Sequence, residues 1–281
     1  MAPDTVVAQA QPIDAGTRAA FEADGAVPLR GVVGSAWLGR LAAAIERDIA
    51  KPGPFAHGYV PENGQGRFHG NLKLWESDAD CRAFCLGSGL PALAAELLGA
   101  GRVNLFYDQL FVKEPGTLNR TRWHNDLPYW PIRGRQIVSF WLALDPTTQE
   151  SGALEFVRGS HRWGRWFQPE RFGDTKAHGD YERNPDYEPM PDLEAARGDY
   201  DIVSWNLAPG DIVAFHGLTV HGAGGNNRTD VRRRGYAVRY SGDDVVYDTR
   251  PGPNANLRVA GMADGAPLAG PNFPEVWRRR N

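Results

Sequence analysis

Residues 210–227 read GDIVAFHGLTVHGAGGNN, and this stretch decides the class of fold. An apolar run of strand length follows Asp211, a turn is indicated at Gly217, and a second short strand carries His221. A glycine-rich loop comes next. The stretch therefore predicts a strand, a turn and a short strand that presents an imidazole just before a loop.

A second segment, residues 122–126, reads RWHND. On a strand, His124 and Asp126 would point to the same side, since side chains alternate with a period of two. By itself the pair equally fits two surface polar residues at a strand end. Together with His221 it supplies two imidazoles and one carboxylate, which iron(II) accepts while leaving positions open for a bidentate cosubstrate and dioxygen. We expect His124, Asp126 and His221 to bind iron(II).

Arg232 follows His221 by eleven positions and begins the next apolar stretch. A fixed guanidinium at this point would hold a carboxylate through two parallel hydrogen bonds. Arg232 is therefore the expected partner of an anionic cosubstrate.

Composition limits the function classes. The chain has 281 residues, 42% of them hydrophobic, which is enough for one large domain with a core. Its formal net charge of −3 gives no basic footprint for nucleic acid. No signal-peptide pattern or membrane-length apolar run is evident, so we expect a cytoplasmic protein without a membrane partner. Cys81 and Cys85 are predicted to be a reduced pair on one helix face.

The N-terminal part is predicted to be helical and the remainder mainly β. Helical spacing covers 14–24, 35–50 and 91–98, with Asp14 and Ser35 as candidate N-caps. Residues 52–71, with His57 and His69, are predicted to form a loop. The predicted strands are 103–113, 137–144, 153–157, 211–215, 218–221 and 235–240. Short strands without intervening helices indicate a sandwich or barrel, and the long polar segment 163–204 is a candidate lid.

Four stretches together resemble the phytanoyl-CoA dioxygenase family of iron(II)- and 2-oxoglutarate-dependent oxygenases. They are 109–113 (QLFVK), 123–130 (WHNDLPYW), 151–162 (SGALEFVRGSHR) and 209–226, which contains the glycine loop. The resemblance implies a double-stranded β-helix, a jelly roll with N-terminal and flanking helices. It also implies one oxygenase domain over 1–281 with its core at about 101–241.

Carried onto this sequence, the resemblance makes His124, Asp126 and His221 the metal ligands and Arg232 the partner of 2-oxoglutarate. Arg232 is preferred to Arg233 because the eleven-residue step matches the family and because Arg232 and Arg234 would share a strand face. The other residues it implies are Lys113 and Trp141 beside the cosubstrate and Gln109, Trp123, Tyr129 and Trp130 beside the substrate.

One position departs from the family. Many relatives have serine or threonine two residues after the distal histidine, where this chain has Ala223. Lys113 or Thr219 would then supply the missing hydrogen-bond donor to 2-oxoglutarate, or cosubstrate binding would be weaker.

The expected function is therefore hydroxylation of an unactivated C–H bond, with release of succinate and CO2. Iron(II), 2-oxoglutarate and dioxygen are the implied cofactors, and the partner is a small organic substrate with apolar surface. Desaturation, ring chemistry or action on an acyl-CoA would use the same site. The alternative class is a jelly-roll protein that binds a metal without redox chemistry. The sequence leaves the oligomeric state open.

Overall fold

The computed structural model describes residues 13–59, 66–170 and 181–280. Five α-helices lie in its N-terminal third: α1 (Ala15–Asp24), α2 (Ser35–Ala50), α3 (Leu74–Ser77), α4 (Ala79–Gly87) and α5 (Leu90–Leu98). The three predicted helices are confirmed, and the Asp14 carboxylate accepts the Thr17 amide at 2.7 Å as the N-cap of α1. Gly34, rather than the predicted Ser35, occupies the N-cap position of α2.

The same described ranges contain fourteen strands. They are β1 (Ala26–Leu29), β2 (His57–Tyr59), β3 (Phe68–Leu72), β4 (Arg102–Lys113), β5 (Thr121–His124), β6 (Ile132–Arg133), β7 (Ile137–Ala143), β8 (Leu154–Val157), β9 (Ile202–Ser204), β10 (Ile212–His216), β11 (His221–Ala223), β12 (Arg233–Ser241), β13 (Val246–Tyr247) and β14 (Glu275–Arg278). Short 3-10 turns occur at Leu127–Tyr129, Ser160–Arg162, Arg197–Asp199 and Ala255–Leu257.

The strands form two main antiparallel sheets. The major sheet has the order β1-β10-β7-β12-β4-β3-β2, with β14 also paired to β4. The minor sheet has the order β5-β11-β8-β9, and β6 pairs with β13 separately. Two facing antiparallel sheets with these crossovers make the protein mainly β and a jelly roll, as predicted.

The two faces of the major sheet carry different side chains. One face packs on the helices, and there the ring centroids of Phe84 in α4 and Tyr236 in β12 are 6.1 Å apart. The other face turns toward the minor sheet, where Trp141 of β7 and Phe156 of β8 share an apolar cluster. The first face closes the core, and the second leaves room for a cavity between the sheets.

Two predictions about loops and strands are corrected. Residues 52–71 are not all loop, because β2 and β3 extend the edge of the major sheet; residues 60–65 lie outside the described ranges. The strand predicted at 218–221 begins only at His221, because His216 to Thr219 close a turn with a backbone hydrogen bond of 2.9 Å.

The apolar stretch Ala79–Leu98 has the length and composition of a membrane span but is half buried inside the protein. It consists of α4 and α5, which pack against the major sheet, and it carries Cys81 and Cys85 as free, buried thiols. We interpret it as core helix.

The candidate lid contains structure of its own. Of residues 163–204, the structure describes 163–170 and 181–204. The segment ends in β9, which pairs with β8 in the minor sheet. Trp166 and Tyr181 pack against the apolar cluster that contains Tyr129 and Trp130.

Candidate metal centre and active site

His124 and His221 face each other across two neighbouring strands. His124 is the last residue of β5 and His221 the first of β11, and the antiparallel register places them directly opposite one another. Their ring centroids are 4.2 Å apart. The two segments that the sequence separates by almost a hundred residues therefore meet at one end of the minor sheet.

Asp126 completes the cluster from just beyond the end of β5. It has helical backbone angles and precedes the 3-10 turn Leu127–Tyr129, so it is not a strand residue. Its Oδ1 lies 3.4 Å from His124 Nε2. The ligand atoms of His124, Asp126 and His221 all lie within 4.8 Å of one another, and the three side chains are buried.

Backbone carbonyls orient both imidazoles. His124 Nδ1 lies 2.8 Å from the Arg122 carbonyl oxygen, and His221 Nδ1 lies 2.9 Å from that of Thr219. Because a carbonyl only accepts, each Nδ1 carries the proton and each Nε2 keeps its lone pair. Such hydrogen bonds fix the tautomer and the ring orientation of metal-binding histidines.

The electrostatics hold the cluster in its ligating protonation state. Burial lowers the pKa of His221 to about 3, and the neighbouring His124 contributes to the shift. Burial opposes ionisation of Asp126, but the Arg239 guanidinium and the two histidines outweigh it and hold its pKa below the usual range. A neutral imidazole and an ionised carboxylate are the forms that bind a metal.

The two oxygens of Asp126 have different surroundings. Oδ1 faces His124, whereas Oδ2 lies 3.5 Å from the Ser139 hydroxyl and 3.6 Å from Arg239 Nη2. One carboxylate oxygen is thus directed toward the imidazoles. Two nitrogens and one oxygen on one side of a buried site fit the donor set that iron(II) accepts.

The cluster opens into a cavity between the two sheets. Its wall includes seven residues that were predicted from the sequence. Three are the metal ligands His124, Asp126 and His221, and four are the pocket residues Gln109, Tyr129, Trp130 and Trp141. The structure therefore brings the predicted metal ligands and four of the predicted pocket residues together.

Arg232 lies outside this cavity, contrary to the expectation that its side chain faces the metal site. Its Nε donates to Glu114 at 2.9 Å and its Nη1 to Glu46 at 2.6 Å, on the partly exposed outer side. Arg233 lines the cavity instead, with 2% of its surface exposed. Its Nε is buried without a hydrogen-bond partner among the described residues, and its guanidinium lies 5.4 Å from the Trp141 ring centroid.

The register of β12 explains the error. Arg233, Gly235 and Ala237 pair with Lys113, Phe111 and Gln109 of β4, so the odd-numbered positions face the cavity. The even-numbered positions Tyr236, Val238 and Tyr240 enter the helix-packed core. Their bulk is the signal in the sequence that would have assigned the faces correctly.

Three further assignments fall outside the described cavity lining. Lys113 is buried beside it, and its Nζ donates to the Gly224 carbonyl at 2.5 Å; burial lowers the pKa of this ammonium well below its ordinary value. The Thr219 hydroxyl donates to the Gly25 carbonyl at 2.8 Å, so it does not supply the donor missing at Ala223. The Trp123 indole donates to Glu194 at 2.8 Å, away from the metal cluster.

Several lining residues were not predicted from the sequence, because they come from elements that no local pattern connects. His57 of β2, predicted to lie in a loop, is one of them. Others are Phe68, Leu72, Tyr107, Phe111, Tyr181, Arg239 and Leu257.

Comparison with known proteins agrees with this geometry. Residues 21–235 match the family model described as phytanoyl-CoA dioxygenase. A probable phytanoyl-CoA dioxygenase of Caenorhabditis elegans is 29% identical over 179 residues, which are 58% of this chain and 51% of that protein. The dioxygenase lolE1 of Epichloe uncinata is 31% identical over 127 residues, 45% of this chain and 47% of that protein. The chain thus spans about half the length of these curated relatives.

Solved structures share the fold. The 2-oxoglutarate-dependent carbocyclase SnoK of nogalamycin biosynthesis is 23% identical, with a TM-score of 0.75 over 95% of this chain and 98% of its own. EctD from S. alaskensis, solved with 2-oxoglutarate and 5-hydroxyectoine, is 20% identical, with a TM-score of 0.64 over 85% of this chain and 81% of its own. With the family model covering most of its length, the chain belongs to the phytanoyl-CoA dioxygenase family of iron(II)- and 2-oxoglutarate-dependent oxygenases.

Proposed function

We propose that this protein is an iron(II)- and 2-oxoglutarate-dependent dioxygenase that hydroxylates an unactivated C–H bond of a small organic substrate. Succinate and CO2 are the coproducts. The observation that carries this proposal is the presence of the His124, Asp126 and His221 cluster and the buried Arg233 in one cavity.

Arg233 is the residue that would bind the cosubstrate. Its Nε lacks a partner among the described residues, and a buried, charged donor without a partner is costly unless an anion meets it. The distal carboxylate of 2-oxoglutarate supplies that anion, and a planar guanidinium matches its two oxygens. Trp141 stands over Gly235 and forms the wall beside Arg233.

His124, Asp126 and His221 would hold the metal. Bound iron(II) with 2-oxoglutarate would supply the activation of dioxygen and the oxidising power of the reaction. Three protein ligands of this kind suit a metal that also takes a cosubstrate and dioxygen.

Aromatic side chains exclude water from the reacting centre. The Tyr129 hydroxyl donates to the Glu170 carbonyl at 2.9 Å and accepts the Glu170 amide at 2.9 Å, which ties the candidate lid to the turn after Asp126. Tyr181 packs edge-on against Tyr129, with ring centroids 5.1 Å apart. We propose that the described parts of the candidate lid, 163–170 and 181–204, cover the substrate, since a covered site protects a reactive oxidant from solvent.

Succinate release tests the proposal. Purified protein is given iron(II), ascorbate, 2-oxoglutarate and a panel of small metabolites in the presence of dioxygen, and succinate is measured. In a separate experiment, the binding of 2-oxoglutarate is measured under anaerobic conditions. Turnover that depends on iron and 2-oxoglutarate, with a product heavier by one oxygen, supports hydroxylation. A product lighter by two hydrogens would assign desaturation to the same site. Metal binding without 2-oxoglutarate binding or turnover would favour the non-redox alternative.

A further inference from the structure

Arg239 is a second buried guanidinium in the cavity wall; it lies beside the metal ligand Asp126, and the proposed cosubstrate contact at Arg233 does not involve it. Its side chain is 3% exposed, and its guanidinium lies 4.4 Å from the Tyr107 ring centroid and 5.4 Å from that of Trp130. Its Nε and Nη1 are buried without hydrogen-bond partners among the described residues. Its Nη2 lies 3.6 Å from Asp126 Oδ2, beyond ordinary hydrogen-bond distance.

Arg239 lies six residues from Arg233 along the cavity face of β12. At about 3.3 Å per residue, the two Cα atoms are roughly 20 Å apart. Gly235 and Ala237 lie between them, and the Trp141 ring covers Gly235. In the proposed function, one carboxylate of 2-oxoglutarate binds Arg233 and the other binds the metal. Neither is left for Arg239.

Summed over the cavity, the charges leave one positive charge uncompensated, although Asp126 faces Arg239 at 3.6 Å. Among the described lining residues, the fixed charges are those of Asp126, Arg233 and Arg239, which together give one positive charge. Iron(II) and doubly ionised 2-oxoglutarate cancel one another. Asp108 does not compensate from the other face of β4, because it accepts the Tyr236 hydroxyl and the Trp75 amide. Burial raises the pKa of Asp108 to about 7, which further reduces its negative charge at neutral pH.

We propose that the substrate is a monocarboxylate and that Arg239 binds its carboxylate beside the metal. One carboxylate balances the single excess charge, whereas a phosphate would bring nearly two negative charges. The guanidinium carbon lies over the rings of Tyr107 and Trp130, whose planes are nearly perpendicular at 84°, and Nε and Nη1, which have no partner among the described residues, remain to donate hydrogen bonds to the carboxylate. This assignment rests on the proposed function, because it takes the cosubstrate to occupy Arg233.

The rest of the wall fits an apolar body attached to that carboxylate. Phe68 and Leu72 of β3, Phe111 of β4 and Leu257 line the same cavity. A hydrocarbon or aromatic portion would be buried against these side chains while the carboxylate meets Arg239. The substrate class is therefore a small carboxylic acid with an apolar body.

Paired carboxylates and amides test the assignment directly. The protein is loaded anaerobically with iron(II) and 2-oxoglutarate and titrated by calorimetry with benzoate, phenylacetate and hexanoate, each compared with its neutral amide. The wild-type protein should bind at least one carboxylate ten-fold or more tightly than its amide. Arg239→Gln should remove that preference, Arg239→Lys should keep part of it, and Arg232→Gln on the outer surface should leave it unchanged.

Three results would overturn the proposal. The first is a wild-type protein that shows no preference for any carboxylate over its amide. The second is a preference that survives in Arg239→Gln. The third is a loss of iron binding in Arg239→Gln, which would make Arg239 a positioning residue for Asp126. The 2-oxoglutarate titration in the same samples separates this proposal from the previous one. If 2-oxoglutarate fails to bind, the dioxygenase proposal fails, while the comparison of wild type with Arg239→Gln still reports on the carboxylate site.

Discussion

Arg232 and Arg233 are adjacent in sequence, yet their guanidinium groups lie on opposite sides of the start of β12. Arg232 forms ion pairs with Glu46 and Glu114 on the outer side. Arg233 enters the cavity and contacts Trp141. A one-residue step reverses the direction of a strand side chain, and here it separates a surface residue from a residue of the active site.

Substitution of these two arginines should therefore have unequal effects on the cosubstrate. We expect Arg233→Ala to raise the KM for 2-oxoglutarate roughly 10- to 100-fold, since a charge-assisted hydrogen bond contributes about 1.5–3 kcal/mol. Arg232→Ala should leave that KM within about two-fold of wild type. Initial rates of succinate formation at varied 2-oxoglutarate measure both. The reverse order of effects would return the cosubstrate to Arg232.

The metal cluster should respond to the loss of any one ligand. We expect His221→Ala to weaken iron(II) binding roughly 100-fold or more, because even the loss of an outer hydrogen-bond partner costs 10- to 100-fold. Anaerobic calorimetry measures the affinity, and circular dichroism checks that the variant folds. His161→Ala serves as the control, since His161 is hydrogen-bonded to the Glu22 carbonyl outside the cavity. An equal loss of metal binding in both variants would contradict the assignment.

Two glycine substitutions should change stability in opposite directions. A Cβ at Gly235 would lie 2.1 Å from the Trp141 ring, so Gly235→Ala must displace a buried tryptophan. We expect it to cost about 1–3 kcal/mol of unfolding free energy and to weaken 2-oxoglutarate binding. Gly39 lies exposed within α2, and no atom of the described residues lies within 4 Å of where a Cβ would be, so Gly39→Ala should add about 0.5–1 kcal/mol. Urea denaturation measures the unfolding free energy of both variants. An unchanged unfolding free energy in Gly235→Ala would contradict the close packing of Trp141 on Gly235.

Acid should destabilise the protein through His216. Its Nδ1 accepts the Leu218 amide at 3.1 Å, and its Nε2 donates to the Arg135 carbonyl at 2.9 Å, which fixes the neutral ring. Burial lowers the pKa of His216 from 6.5 to about 4, and the neighbouring His161 contributes to the shift. The unfolded chain therefore binds the proton more readily, so stability falls as the pH drops from about 6.5 toward 4.

The expected loss from His216 between pH 7 and pH 5 is on the order of 1–2 kcal/mol. His216→Gln removes the titrating group and should flatten the dependence of unfolding free energy on pH in that interval. Urea denaturation at several pH values measures it. An unchanged slope in the variant would show that other groups cause the acid sensitivity.

Much of the site could be predicted from the sequence because its signals are local. The spacing of His124 and Asp126 and the strand before His221 depend on a few neighbouring residues. The same holds for helix α1, whose N-cap Asp14 precedes a regular apolar repeat. Strand boundaries were less certain, since a turn delays β11 until His221.

The sequence by itself determined the chemical type of the metal ligands, the mainly β class and the family. Tertiary structure decided which side chains share the cavity with the metal. Arg233 rather than Arg232 lines the cavity, and Arg239 lies beside Asp126, because the register of β12 on β4 sets every side-chain direction along the strand. That register depends on contacts between residues more than a hundred positions apart, so no local pattern could specify it.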